Sequence, residues 1–236
     1  MILRVAFSKH AFFNSLLSNV VAIAAGWIRS HALLSDSTVI TWGTQMEMDG
    51  REIRAAAKLS NIVSIAGWGS LGARSDGSLV NILNGESYSG ISNIVAVAFG
   101  VPIGGRGHLV ALQRDGSVVG IQLTTPPALS LVMSNATAIA AGGWQNLALK
   151  RDGTVFAWGR RDSHVPPGLS NVVAISAGQN HSLALKSDGT VAAWGATERF
   201  AESVPAGLSN VVAIAAGNDF SLAITTDPEV ADRFRR

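Results

Sequence analysis

The chain has 236 residues, 47% of them hydrophobic and 14% charged; an average soluble chain carries roughly 25% charged residues, so a disordered, charge-driven protein is excluded. There is no cysteine, which excludes disulfides, Cys-based zinc sites and thiol catalysis. Eighteen basic against 16 acidic side chains leave a net charge of +2, with one basic cluster in the tail at Arg233, Arg235 and Arg236, so the concentrated basic patch that nucleic acid requires is missing.

From the N-terminus, Met1 to Gly26 is rich in apolar residues after Arg4, but Lys9, His10 and Asn14 interrupt it. Val20 to Gly26 belongs to a motif that recurs along the chain, so no cleaved signal peptide is expected and the compartment stays open between cytoplasmic and secreted. No apolar run reaches transmembrane length, and no membrane partner is expected. The recurring motif is Ser-Asn followed by Val/Ile- and Ala-rich residues. It begins at Ser18, Ser60, Ser92, Ser134, Ser170 and Ser209, at spacings of 42, 32, 42, 36 and 39 residues.

The copy at 170–195 shows the parts. Val172 to Ala177 is a short apolar run between Asn171 and Gly178 and predicts a strand buried on both faces. His181 to Lys186 alternates and predicts a second strand. Asp188-Gly189 is a hairpin turn, echoed at Asp76-Gly77, Asp115-Gly116 and Asp152-Gly153, while Asp36-Ser37 lacks the Gly. Thr190 to Trp194 predicts a third strand, with room for a fourth in the variable link to the next unit. Only Gly50 to Leu59, with REIRAAAKL, has a helical look. The last unit has two strands, Val211 to Thr225, but no hairpin and no Trp-Gly. A strand from residues 2–7 is expected to complete it. The reading is therefore all-β: a single closed β-propeller over 1–236 of six blades (alternative seven). Pairing of the N- and C-terminal strands closes the ring, residues 1–17 complete the last blade, and 227–236 form a tail.

The run VVAISAGQNHSLALKSDGTVAAWG at 172–195 resembles the regulator of chromosome condensation repeat in its short bacterial form. The match is good at 134–159, recognisable at 18–43 and 209–225, and weak at 60–83 and 92–121, where Ile82 and Ile121 replace Trp. The resemblance implies a propeller closed by both termini, commonly of seven blades against the six units here. Members include a nucleotide exchange factor that docks on chromatin, a plant ultraviolet receptor and a secreted propeller-type inhibitor of β-lactamases. The inhibitor is nearest in repeat length.

The six tryptophans fall into two classes. Trp42, Trp158 and Trp194 end third strands and read as packing between blades. Trp27, Trp68 and Trp144 follow the Ala-Gly step in links that vary from unit to unit. In a propeller such links share one face, so Trp27, Arg29, Trp68, Trp144, Gln145, Asn180, His181, Asp219 and Phe220 are expected to form a binding surface. Arg106, in the inserted loop Gly100 to Gly107, joins them over the channel mouth. The mixed-charge link Thr44 to Leu59 reads as a solvated exterior, although long loops on a rigid scaffold can also serve recognition. His31 reads as a core residue. No metal and no cofactor are expected, because two His at one level (His108 and His181) fall short of the three or four ligands a metal needs.

The expected function is non-catalytic recognition of a protein partner, inhibitor-like, through aromatic links on one face; enzymatic activity is not the favoured reading. One alternative is a small-molecule hydrolase, of esterase or lactonase type, using Ser70 with His108 or His181 at the channel mouth. Ser70 sits in Gly69-Ser70-Leu71-Gly72, which lacks a full nucleophile elbow. The other is a chromatin- or nucleic-acid-associated, exchange-factor-like protein, which the +2 charge disfavours.

Overall fold

The computed structural model describes residues 18–25, 29–43, 59–67, 70–100, 107–122, 128–159, 164–195, 204–218 and 220–226. The expected terminal strand at 2–7, the helical stretch at 51–58 and most of the Thr44 to Leu59 link lie outside them. The chain forms two compact units, Met1–Val97 with Leu123–Ala128, and Ala98–Gln122 with Leu129–Arg236.

The fold is all-β, a succession of small antiparallel sheets that follow the repeats. The first holds β1 (Val20–Ala25), β2 (Arg29–Leu34) and β3 (Val39–Gly43); the second holds β4 (Ile62–Ala66), β5 (Leu71–Arg74) and β6 (Leu79–Asn81). The third adds the anticipated fourth strand: β7 (Ile94–Gly100), β8 (His108–Gln113), β9 (Val118–Gln122) and β10 (Ala128–Met133) run in the order β10-β9-β8-β7. Then come β11 (Ala136–Ala141), β12 (Gln145–Lys150) and β13 (Val155–Gly159), followed by β14 (Val172–Ala177), β15 (His181–Lys186) and β16 (Val191–Gly195). Among the described residues the last sheet has two strands, β17 (Val211–Ala216) and β18 (Ser221–Thr225).

Two backbone devices explain why Ser-Asn and Asp-Gly recur. The Asn of every Ser-Asn step (Asn19, Asn61, Asn93, Asn135, Asn171, Asn210) has φ between 52° and 69°. Asn tolerates this left-handed region better than most residues. In that conformation its carbonyl accepts the N–H that ends the second strand of its own sheet, as Ser187 donates to Asn171 at 2.8 Å and Ser75 to Asn61 at 2.8 Å. In the turns, the Asp carboxylate accepts the N–H two residues on, so Asp188 Oδ1 lies 3.0 Å from Thr190 N and 2.6 Å from its hydroxyl. The Thr190 hydroxyl and N–H, with help from Lys186, hold the Asp188 carboxyl down at about 2.

The turn residue after Asp carries the chain into the next repeat. Its carbonyl accepts the N–H of the following sheet's first strand: Ile62 to Ser37 (3.1 Å), Ile94 to Gly77 (2.9 Å), Ala136 to Gly116 (2.9 Å), Val172 to Gly153 (2.9 Å) and Val211 to Gly189 (3.0 Å). Gly189 has φ 77°, and a Cβ there would sit 3.1 Å from the Asn210 Cα, so both conformation and space select glycine.

Burial follows these seams. Leu33 and Val39 of the first sheet pack with Leu59, Ile62, Val80 and Ile82 of the second. Leu147, Leu149 and Val155 of the fourth pack with Val172, Ala184 and Trp194 of the fifth. The first strands are not buried on both faces as expected. β14 opens with a bulge between Val172 and Ala174, and Val173 at the bulge is 54% exposed. The same irregularity opens β1, β4, β11 and β17. The extra residue is left out of the ladder and turned to solvent, which accounts for Val21, Val63 and Val212 being exposed as well.

Ser37 stands at φ 65° where the other turns place Gly. A non-Gly residue there carries backbone strain, so Ser37→Gly is expected to stabilise the chain by about 0.5–1 kcal/mol. Urea unfolding midpoints check this, and an unchanged or lower midpoint counts against strain at the turn.

Candidate functional site

The links between first and second strands begin with Ala-Gly, or Phe99-Gly100 in the third repeat, and the glycine is a point of backbone contact. A Cβ on Gly100 would collide with the Gly142 carbonyl oxygen, one on Gly142 with that of Gly178, and one on Gly178 with that of Gly217. Two backbone bonds cross between repeats at this level, Gly143 N to Gly178 O (3.0 Å) and Gln179 N to Gly217 O (3.1 Å). The links thus start from closely stacked main chain, which no larger residue could share.

The first position of the second strand comes next. Gln145 is 6% exposed, and its Nε2 donates to the carbonyls of Gly178 (3.1 Å) and His181 (2.6 Å) in the following repeat. His181 is 2% exposed, and its Nε2 lies 3.0 Å from Ser221 Oγ, again one repeat on. His108 Nε2 lies 2.7 Å from Asn146 Oδ1, so the ring donates to that amide carbonyl. These imidazoles each bond to a side chain of the next repeat. In the first unit His31, fully buried on β2, does the same work from two residues further along. Its Nε2 lies 3.3 Å from Ser70 Oγ and its Nδ1 lies 2.8 Å from the Thr41 hydroxyl.

The three imidazole cases share one geometry. Ser70, Asn146 and Ser221 occupy the same repeat position, at or beside the start of the second strand, and each receives an imidazole from the preceding repeat. Buried polar groups are costly unless bonded, so each imidazole or amide clamps a seam. Ser70 is 6% exposed, with φ 49°. Its link is shorter than the others and turns tightly, Ser70 N reaching Gly67 O at 3.4 Å. The structure therefore pairs Ser70 with His31. His108 and His181 are engaged by Asn146 and Ser221.

Of the other expected binding residues, Trp144 and Asn180 are half-buried and Phe220 is 59% exposed. Trp27, Trp68, Arg106 and Asp219 lie outside the described residues, as does the Arg29 side chain. The end-of-strand tryptophans behave differently from one another. Trp194 is buried against Leu147 and Leu149 of the preceding repeat, whereas Trp158 stacks on Phe156 of its own strand at 5.6 Å. Among the described residues no group of three or more His, Asp or Glu converges to hold a metal. No described helix is long and apolar enough to cross a membrane.

Short antiparallel sheets, one per repeat and joined by turn-to-strand bonds, define a β-propeller-type repeat protein. Residues 172–199 match the Regulator of chromosome condensation (RCC1) repeat. Three solved structures share the fold. Yeast RCC1 (Prp20), in its complex with Kap60, is 19% identical over 87% of this chain and 68% of its own, with TM-score 0.61. Human WBSCR16 is 18% identical over 89% and 72%, with TM-score 0.66. The CRINKLY ectodomain of the Arabidopsis thaliana receptor kinase ACR4 is 20% identical over 88% and 76%, with TM-score 0.61. No curated protein matches the chain.

The seam reading makes a direct forecast for His181 and Ser221. A double-mutant cycle with His181→Ala and Ser221→Ala, followed by denaturant unfolding, is expected to give a coupling of about 0.5–1.5 kcal/mol. Strictly additive losses would show that the two side chains do not act together.

Proposed function

We propose that the chain closes into one ring of six blades over residues 1–236 and acts as a non-catalytic module that recognises a protein partner. Support for closure comes from the last sheet. Leu222 and Ile224 on β18 are 60% and 51% exposed, whereas the matching Leu183 and Leu185 on β15 are 3% and 4% exposed. The same residue types are covered in one repeat and bare in another, so a strand and a neighbouring sheet are owed to β18. In this proposal residues 2–7 supply the strand. Deleting residues 1–8 is then expected to lower the melting temperature by several degrees or more; a truncated chain that melts like the intact one removes the case for closure.

Recognition rests on one observation: the strands repeat closely while the links between first and second strands change chemistry from unit to unit. The turns and seams that build the scaffold leave the link residues Trp27, Arg29, Trp68, Arg106, Trp144, Asn180, Asp219 and Phe220 free to differ. Gln145 and His181 hold the floor beneath them through their seam bonds. Aromatic and Arg side chains on a rigid support are the residue types that anchor protein contacts. A structure of the same fold, yeast RCC1, was solved bound to the protein Kap60. The triple variant Trp27→Ala, Trp68→Ala, Trp144→Ala is expected to keep its fold and lose at least tenfold in affinity for a partner captured by the wild type and identified by mass spectrometry. Undiminished binding by a folded triple variant would move recognition away from the links.

A further inference from the structure

The strand β10 is the outer member of its four-stranded sheet, bonded to β9 on one side. Among the described residues nothing pairs with its other side. Folded proteins usually blunt such an edge with Lys, an inward charge or a covering loop, because its free N–H and C=O groups template further pairing. β10 carries no charge, and neither does any residue from Gly116 to Leu149, a run of 34 residues without Asp, Glu, Lys, Arg or His. Leu129 and Leu131 are 41% and 70% exposed. They flank Ser130, whose hydroxyl donates to the Gly120 carbonyl of β9 at 3.4 Å. Alternation along a strand sets both leucines on the face opposite to the serine.

We propose that β10 is a self-association edge: β10 of a second copy of this chain pairs with it antiparallel, about a two-fold axis through Ser130. The occupant follows from the symmetry of the strand. An axis at Ser130 sets Leu129 of each copy against Leu131 of the other, so the strand is its own complement, as a two-fold interface requires. A charged edge would bring like charges together in such a pair, at a cost; this edge has none to bring. Pairing removes exposed leucine surface and satisfies the free ladder groups at once. One six-residue strand falls short of the roughly 1,200 Å² typical of stable interfaces, so the dimer is weak and concentration-dependent.

The test uses the full chain in sedimentation velocity over a concentration series, with folding checked by circular dichroism. The wild type is expected to shift from monomer to dimer as concentration rises. Leu131→Lys, an exposed position that the fold tolerates, is expected to stay monomeric. A mixture of Leu129→Glu and Leu131→Lys chains is expected to associate again, because the proposed register sets Glu against Lys. Since the chain lacks cysteine, Ser130→Cys supplies a single thiol. A short bis-maleimide is expected to link two such chains and to leave a Ser187→Cys control unlinked. A monomer at every concentration, or a dimer indifferent to Leu131→Lys, overturns the proposal.

Discussion

One backbone hydrogen bond sets the step from repeat to repeat: the N–H of each sheet's first strand donates to the turn carbonyl of the sheet before it. It recurs from Ile62 to Val211 at 2.9–3.1 Å. Making it imposes two conditions. The turn must present its carbonyl outward, which asks for positive φ at Gly77, Gly116, Gly153 and Gly189, and the incoming chain must bend at once, which asks for positive φ at Asn. Neither condition concerns hydrophobicity, yet the apolar core depends on both. Leu149 and Val155 reach Val172 because the amide of Val172 has already been placed.

A second layer of contacts secures the other end of the seam between the first and second repeats and of those from the third repeat to the sixth. There the main chain closes up, glycine against carbonyl, and long polar side chains bridge to the next repeat. A buried imidazole facing a hydroxyl or an amide oxygen is a directional contact with little tolerance for sliding. The sheets are thus pinned at both ends of their strands, by backbone at the turn and by side chain at the link. A scaffold held in this way can carry links of unrelated composition, because they contribute little to its cohesion.

Much of this was legible in the chain. The strands lie where the apolar runs and Asp-Gly turns place them, since period-two alternation and turn chemistry are local properties. The seam bonds were not legible, because each joins residues 33 to 40 positions apart. The available signal was the pairing of His at one strand start with Ser or Asn one position along in the next repeat. The bulges were hidden for another reason. A valine displaced to solvent and a valine in the core read alike in sequence, and only the register between β14 and β15 separates Val172 from Val173. Gln145 and His181, expected among the variable links, open the second strands β12 and β15. What sequence did not convey is that they point into the next repeat, while Phe220 at the same position is exposed.

The imidazole contacts also have a sense. His31, His108 and His181 each reach forward along the chain, and Ser70, Asn146 and Ser221 each receive from behind. The imidazole plugs therefore stand in the first, third and fifth repeats, and their sockets in the second, fourth and sixth. Removing or duplicating a single unit would break this alternation, whereas removing or duplicating two neighbouring units would leave the remaining plugs facing sockets of the same kind. The seams set the joint between neighbours without setting how many neighbours there are.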